Sequence, residues 1–267
     1  MSAAVKLWRD HELCVEFLSA SRVAHKFSTH AHPELVIAYF EGGVQTFQAA
    51  GRRWVAQAGD LLILPPGLAH DGAPVAAEGY SYRAIYVDVC ALSRLWMTDA
   101  RLRMPTAPVL LSGSALVPCA LAVHRRIETR GDSALGRQEL LFRLLQRSLM
   151  AGLSTPESAS RRAHPRQPKA AALARDYLHA HFAEDVRTAD LAAIAGISES
   201  RLTHVFSEAF HCSPAVYHTA LRLSAARTLI RAGIPLAQAA SEVGFADQAH
   251  LTRRFKAAFG VTPGQIV

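Results

Sequence analysis

The sequence predicts an α+β protein, with an N-terminal β-barrel that carries a helical hairpin and a C-terminal all-α domain that contains two helix-turn-helix motifs. Three patterns predict this architecture. Short apolar segments separated by Gly and Pro fill residues 1–90, apolar residues follow helical spacing over 115–150, and the last hundred residues contain a repeat. A chain of 267 residues has room for two domains with separate cores.

Composition narrows the class of protein. Half of the residues are hydrophobic and the formal net charge is +7, which suits a globular protein with an acidic partner such as nucleic acid. None of the four cysteines lies in a C-x-x-C pair, which argues against a disulfide framework or a zinc ribbon; they are Cys14, Cys90, Cys119 and Cys212. Charged residues interrupt the N-terminus before any apolar run, and no stretch of 18 apolar residues follows. We therefore expect a cytoplasmic protein without a membrane span.

Four strand candidates lie in the N-terminal part of the chain. They are Leu35–Phe40, Arg53–Ala56, Leu61–Leu64 and Tyr80–Val89. Several short strands at this spacing, bounded by Gly and Pro, are typical of a barrel or a sandwich.

Two amphipathic helices are predicted next, joined by the turn Gly131-Asp132-Ser133. Their apolar residues recur at helical spacing at Leu116, Ala120, Val123, Ile127, Leu141, Leu144, Leu145 and Leu149. This stripe could pack on the barrel or against a second copy of the chain, so a homodimer is one of two interpretations. Residues 151–168 are rich in Ser, Pro and Arg and are interpreted as a linker between domains at 1–150 and 169–267.

The C-terminal domain repeats itself. Gly196-Ile197 matches Gly244-Phe245 at an offset of 48 residues. After one inserted residue the offset is 49, and the matched pairs are Leu202 with Leu251, Phe206 with Phe255, Phe210 with Phe259, and Pro214 with Pro263. Each copy therefore predicts the same arrangement of helices.

Each unit is predicted to contain a short helix, a turn with glycine, and a second helix with a polar outer face. Gly196 and Gly244 end the first helices, Ser198 caps one second helix, and Asp247 lies near the start of the other. This arrangement predicts helix-turn-helix motifs at 188–209 and 236–258. A long helix, capped by Ser213 and ended near 233–235, joins them.

Three stretches of the C-terminal domain carry a family signature. They are Arg222-Leu-Ser-Ala-Ala-Arg-Thr-Leu-Ile, Val243-Gly-Phe-Ala-Asp-Gln, and Arg253-Arg-Phe-Lys-Ala-Ala-Phe-Gly-Val-Thr-Pro263. Over residues 169–267 the chain thereby resembles the AraC/XylS family. The resemblance implies sequence-specific binding to double-stranded promoter DNA, usually to activate transcription, with RNA polymerase as a further partner.

The resemblance also implies which side chains face DNA. They are Ser198, Glu199, Ser200, Arg201 and His204 in the first unit, and Asp247, Gln248, His250, Arg253, Arg254 and Lys256 in the second. The second unit carries more cationic side chains, so we expect it to anchor the protein through phosphates. We expect the first to be more sensitive to base sequence, or to pH through His204.

Two N-terminal motifs resemble those of cupin barrels. They are His30-Ala-His32-Pro-Glu34 and Gly59-Asp-Leu-Leu-Ile-Leu-Pro65-Pro-Gly67-Leu-Ala-His70. In metal-binding cupins such residues hold a divalent ion, but here Glu34 follows His32 by two residues rather than four or five. Sensory barrels fused to this type of DNA-binding domain resemble cupins that mostly bind organic effectors without metal. We therefore expect at least one of the candidate residues His30, His32, Glu34 and His70 to contact an effector, with metal binding and a structural role as alternatives.

Together these patterns predict a ligand-responsive, sequence-specific DNA-binding transcription regulator, and an activator, with a cupin-like N-terminal domain. We expect a small-molecule effector and no cofactor. Because the sequence contains no nucleophile, Walker or dinucleotide motif, we expect no catalytic residues and no enzymatic activity. The alternative is a metal-dependent cupin enzyme with an accessory helical domain, which stoichiometric metal and turnover would reveal.

Overall fold

The computed structural model describes residues 4–10, 12–13, 15–88, 105–129, 131–153 and 168–266. A β-rich N-terminal part with two helices precedes a helical C-terminal part, so the predicted α+β class is confirmed. Cys14, Cys90, Val89 and most of the predicted linker lie outside the described residues. Among the described residues, no helix combines the length and apolar character that a membrane span requires.

The N-terminal strands form two antiparallel sheets. In the described residues they are β1 (Ala4–Asp10), β2 (Val15–Val23), β3 (Phe27–His30), β4 (Leu35–Gly42), β5 (Val44–Ala49), β6 (Arg52–Gln57), β7 (Leu61–Leu64), β8 (His70–Pro74), β9 (Tyr80–Val87) and β10 (Val109–Leu111). One sheet has the order β1-β2-β9-β4-β7-β10 and the other β3-β8-β5-β6. Each predicted strand segment therefore lies in a sheet.

Strand β4 explains why its sequence is apolar without alternation. Val36, Ala38 and Phe40 belong to the core between the two sheets. The intervening side chains, Leu35, Ile37 and Tyr39, belong to a second core on the outer face of the larger sheet. A strand that is buried on both faces needs apolar residues at every position.

The helical hairpin covers that outer face. It comprises α1 (Leu116–Glu128) and α2 (Ala134–Leu153). Its predicted stripe joins the same core as the outer face of β4, so the stripe packs on the barrel and is not left for a second copy. Helix α2 also extends three residues into the range predicted as linker, because Gly152 packs against Ile63 and Val109 of the sheet.

The C-terminal domain contains the two predicted units. Its helices are α3 (Lys169–Ala180), α4 (Thr188–Ala195), α5 (Glu199–Phe210), α6 (Pro214–Arg231), α7 (Leu236–Glu242) and α8 (Gln248–Phe259), followed by a 3-10 turn at Pro263–Gln265. Gly196 and Gly244 have φ values of 67° and 81°, the left-handed region that glycine enters without strain. At Gly244 a Cβ atom would also lie 2.1 Å from the carbonyl oxygen of Ala183.

Each unit has its own apolar core, and α6 contributes to both. Leu191, Leu202 and Phe206 form the first core with α3. The second core comprises Leu223 and Ile230 of α6 with Leu251, Phe255 and neighbouring residues. The shared helix fixes the two units relative to each other.

Candidate functional site

The first candidate DNA-facing surface lies on α5. Ser198 is its N-cap, and the Ser198 hydroxyl accepts a hydrogen bond from the backbone N–H of Arg201 at 3.3 Å. Glu199, Ser200, Arg201 and His204 are exposed on this helix. His204 Nε2 lies 3.4 Å from Glu208 Oε1, an exposed pair that water screens.

The second candidate surface lies on α8. Its exposed side chains are Gln248, Arg253, Arg254 and Lys256, and the carboxylate of exposed Asp247 accepts a hydrogen bond from the N–H of His250 at 2.6 Å. His250, which is also predicted to face DNA, is less exposed than these side chains, because it is half-buried. Its ring lies edge-on to Phe245 with a centroid distance of 5.2 Å, and Arg254 Nε donates to its Nε2 at 3.4 Å. The aromatic neighbour supplied by the turn before α8 draws this ring toward the protein.

Three of the four predicted effector residues converge at the open end of the barrel, here called the barrel mouth. His30 ends β3, His32 follows in the loop, and His70 begins β8. Their ring centroids are 4.5 Å apart for His30–His70, 4.8 Å for His30–His32 and 5.2 Å for His32–His70. All three side chains are buried.

Backbone carbonyl groups orient two of these rings. His30 Nδ1 lies 2.7 Å from the carbonyl oxygen of Ser28, and His70 Nδ1 lies 2.9 Å from that of Leu68. A carbonyl oxygen only accepts, so each Nδ1 carries the proton and donates it. Burial lowers the pKa of all three imidazoles, and the neighbouring rings lower those of His30 and His32 further. The histidines are therefore neutral at pH 7.

The fourth predicted residue, Glu34, does not join the histidines. Its carboxylate faces α6, where Arg227 Nη1 lies 3.1 Å from Glu34 Oε2 and Arg231 Nη1 lies 3.3 Å from Glu34 Oε1. Glu16 of β2 binds the same two arginines, with 2.6 Å between Arg227 Nη2 and Glu16 Oε1. The expectation that Glu34 contacts an effector directly is corrected, because these ion pairs occupy its carboxylate.

The interdomain ion cluster, defined as Glu16, Glu34, Arg227 and Arg231, is buried except for Arg231, which is partly exposed. Arg227 is 5% exposed and Glu16 is 6% exposed. The guanidinium of Arg227 also lies between two aromatic rings, 5.2 Å from the centroid of Tyr86 and 5.6 Å from that of Phe259. The two carboxylates balance the two guanidinium groups, so the cluster carries no formal net charge.

The C-terminal end of α8 closes over the barrel mouth. Phe259, which matches Phe210 in the repeat, contacts Phe255 with a centroid distance of 4.5 Å. It also lies 5.6 Å from the ring centroids of both His30 and His32. The next residue, Gly260, is so close to the barrel that a Cβ atom there would lie 2.7 Å from the Phe27 ring. The second unit therefore rests directly on the mouth.

Between the barrel and this unit lies a cavity, here called the interdomain cavity. Its barrel side is mainly apolar and includes the three histidines, together with Glu16, Gln45 and Asp71. Its other wall comes from the C-terminal domain and comprises Arg227, Phe255, Ala258, Phe259, Val261 and Ile266. An apolar cavity with a few convergent polar groups is the usual form of a small-molecule site.

Sequence reasoning missed the residues of the C-terminal domain that line this cavity. Arg227 and Arg231 stood within or beside the family signature and were not assigned a role. Their signal was weak: two cations four residues apart on a helix whose other inward positions are apolar. Their carboxylate partners lie about two hundred residues earlier, and no local pattern connects such distant positions.

Comparisons with known proteins match both halves of the chain. The family described as AraC-like ligand binding domain matches residues 13–145, and a helix-turn-helix domain family matches residues 191–267. The HTH-type transcriptional regulator YbfI of Bacillus subtilis is 26% identical over 244 residues, which cover 91% of this chain and 87% of the relative. The arabinose operon regulatory protein of Escherichia coli is 27% identical over 221 residues, covering 80% and 74%.

Solved structures resemble the whole chain in fold. ToxT from Vibrio cholerae superposes with a TM-score of 0.54 at 11% identity, covering 99% of this chain and 96% of that chain. A structure of wild-type ToxT with a bound unsaturated fatty acid gives the same TM-score at 12% identity, covering 98% and 93%. At such identities the likeness concerns the fold alone.

Proposed function

This chain is a ligand-binding, DNA-binding transcription regulator of the AraC family, and we propose that its effector occupies the interdomain cavity and thereby controls the position of the second helix-turn-helix unit. The family consists of regulators and not of enzymes, which removes the cupin-enzyme alternative. The observation that carries the proposal is that both domains line one cavity.

A shared cavity gives the effector a means of control. A ligand can shift an equilibrium only by binding one arrangement better than another. An occupant of the interdomain cavity contacts the barrel and Phe259 at once, so its affinity depends on where α8 lies. By linkage, DNA that prefers one position of α8 changes the affinity for the effector by the same factor.

The lining indicates a chemical class for the effector. Most of the wall is apolar, which favours a small molecule with a substantial hydrocarbon part. The polar lining comprises the three neutral imidazoles, Gln45, Asp71 and the ion pair of Arg227 with Glu16. The imidazoles and Gln45 would hydrogen-bond a polar group at one end of the ligand.

Both helix-turn-helix units are proposed to read double-stranded promoter DNA. The exposed faces of α5 and α8 would enter successive major grooves of one duplex face, about 34 Å apart. Arg201 and His204 would contact DNA in the first unit, and Gln248, Arg253 and Lys256 in the second. The proposed outcome is activation through RNA polymerase at the promoter.

A homodimer is also part of the proposal. The apolar stripe of the hairpin is buried within the chain, so a dimer would use other side chains. On the described part of α2, Leu135 and Met150 are 74% and 60% exposed, and we propose that they lie in the dimer interface. Light scattering of the purified protein, with Leu135→Glu as the variant, tests this element separately.

The main experiment combines ligand screening with DNA binding. Full-length protein is screened by thermal shift against small amphipathic molecules, and hits are titrated into a complex with the DNA upstream of its gene. We expect compounds that raise Tm to change DNA affinity, and Phe259→Ala to weaken that change. Compounds that raise Tm and leave DNA affinity unchanged would contradict the proposed coupling.

A further inference from the structure

The barrel mouth has a second chemical property that its effector role does not require. Among the described residues, His30, His32 and His70 form a group whose candidate ligand atoms all lie within 4.8 Å of one another. We propose that these three histidines bind one divalent, late first-row transition-metal ion such as Zn²⁺. Imidazole nitrogen is a preferred ligand for these ions.

The spacing of the three rings is close to what an ion needs. A tetrahedral ion bonded to imidazole at about 2.0–2.1 Å holds its nitrogens about 3.3–3.4 Å apart. The candidate atoms are at most 4.8 Å apart, so closing the site takes a shift of about 1 Å in each ring.

The hydrogen bonds around the rings prepare them as ligands. Nδ1 of His30 and of His70 donates to a backbone carbonyl, which leaves each Nε2 with a free lone pair. The loop that bears His32 is held by a 2.7 Å hydrogen bond from the N–H of Gly67 to the carbonyl of His32. His32 Nδ1 is buried and has no hydrogen-bond partner, an unfavourable state that a bound ion or its ligand water would relieve.

The electrostatic surroundings permit a cation. All three imidazoles are buried, and the hydrogen bonds that Nδ1 of His30 and of His70 donate leave Nε2 of each ring without a proton for an ion to displace. The nearby arginines, Arg227 and Arg231, are each paired with Glu16 and Glu34. Asp71, next in sequence to His70, adds a negative charge on the same strand.

An ion held by three histidines keeps a coordination position for another ligand. The histidines line the interdomain cavity, so water or an anionic group of an effector could fill that position. Phe259 lies over His30 and His32, which places the ion directly beneath the second helix-turn-helix unit. This last consequence rests on the proposed effector site, whereas the ion site itself does not.

The test is a metal titration of full-length, tag-free protein from which metal has been removed with a chelator. We expect one equivalent of Co²⁺ to give the visible absorption of a tetrahedral site, and Zn²⁺ to displace it at the same stoichiometry. Zn²⁺ should also raise Tm. Absence of saturable one-to-one binding by wild-type protein would overturn the proposal, whatever the DNA-binding and effector experiments give.

Variants assign the site to these residues. His70→Ala should weaken Zn²⁺ binding by more than the about 10- to 100-fold loss that follows when only a hydrogen-bonding partner of a ligand is removed. His25→Ala removes an exposed histidine from the loop before β3 and should bind like wild type. If His70→Ala fails to fold, His70→Gln replaces it. Unchanged affinity in a folded His70 variant would also overturn the proposal.

Discussion

The two helix-turn-helix units have the same local design but different surroundings. In the first, α5 packs on a core built within its own unit and from α3. In the second, α8 packs on a similar core, and its end also covers the barrel mouth through Phe259 and Gly260. The first unit also meets the barrel at the residue after α5, where a Cβ atom at Gly51 would lie 3.3 Å from His211. The comparison teaches that two copies of one motif can contact a ligand domain to different extents.

Helix α6 is the mechanical connection between the two units. It contributes to both cores, and its Arg227 and Arg231 bind the barrel through Glu16 and Glu34. Burial lowers the pKa of Arg231 to about 10, so this arginine remains charged at neutral pH. If the second unit changes its position relative to the barrel, these ion pairs must either break or act as the axis of the movement.

The largest expected effect comes from breaking the interdomain ion cluster. Arg227→Met leaves Glu16 and Glu34 with one cation between them. Removing one partner of a buried pair costs about 3–5 kcal/mol, because the remaining charge stays desolvated. We expect a loss of this size in the free energy of unfolding, measured by urea denaturation.

The matched control for that variant is Arg201→Met, on the exposed face of α5. Exposed arginines contribute about 0–1 kcal/mol, so this variant should unfold like wild type. Equal unfolding free energies for the two variants would show that the cluster does not hold the second unit to the barrel.

A smaller effect is expected at the contact between Gly260 and Phe27. Both Gly260 and Gly233 have positive φ, at 73° and 83°, so alanine costs about 1–2 kcal/mol at either position. Only at Gly260 does the added Cβ collide with the barrel. Gly260→Ala should therefore lower Tm more than Gly233→Ala, and adding Phe27→Ala should reduce the difference. Equal losses in the two single variants would contradict close packing at the mouth.

The comparison assumes that the barrel and its hairpin are stably folded. His124 of α1 provides a test of this stability. Its side chain is fully buried, hydrogen-bonds the Tyr39 hydroxyl, and has a pKa that burial lowers to about 3. Unfolding restores a pKa of about 6.5. Below about pH 6.5 the unfolded chain therefore takes up a proton that the folded chain excludes, and stability falls toward pH 3 by up to about 1.4 kcal/mol per pH unit.

The measurement is the pH dependence of the unfolding free energy in wild type and in His124→Phe. Other buried histidines contribute to the wild-type slope, so the quantity of interest is the difference between the two proteins. The variant should show a shallower decline between pH 6.5 and pH 4. Parallel curves would mean that His124 titrates normally in the folded protein.

The smallest effects are expected for substitutions at the DNA-facing residues. These substitutions compare how the two helix-turn-helix units bind DNA. Lys256→Ala should weaken binding to all sequences and reduce the slope of log affinity against log salt by about 1. Arg201→Ala should alter sequence preference more than the salt slope. Fluorescence anisotropy at several salt concentrations separates the two, and a greater fall in slope for Arg201→Ala would contradict the predicted division of roles.

Much of this fold follows from local sequence patterns. The offset repeat predicted both helix-turn-helix units, and Ser198, Ser213 and Asp247 are the helix caps of the structure. Turn glycines and capping side chains act within a few residues of themselves, so a sequence reveals them. The sequence also predicted β4 from its apolar run. It did not predict that one face of β4 lies beneath the hairpin.

The interdomain site was only partly predictable. Motif spacing selected His30, His32 and His70, which do converge. It also selected Glu34, which pairs with α6, and it gave no reason to choose Arg227 or Phe259 as cavity walls. Contacts between domains depend on how two folded surfaces meet, and such contacts leave no periodic signal in the sequence.

The most direct test of the coupling between the second unit and the barrel mouth is hydrogen–deuterium exchange of full-length protein with and without its promoter DNA. We predict that DNA changes exchange in β3 and β8 at the mouth, as well as in α5 and α8, while α1 on the far face of the larger sheet stays unchanged. Protection of α5 and α8 with no change in β3 or β8 would contradict the account.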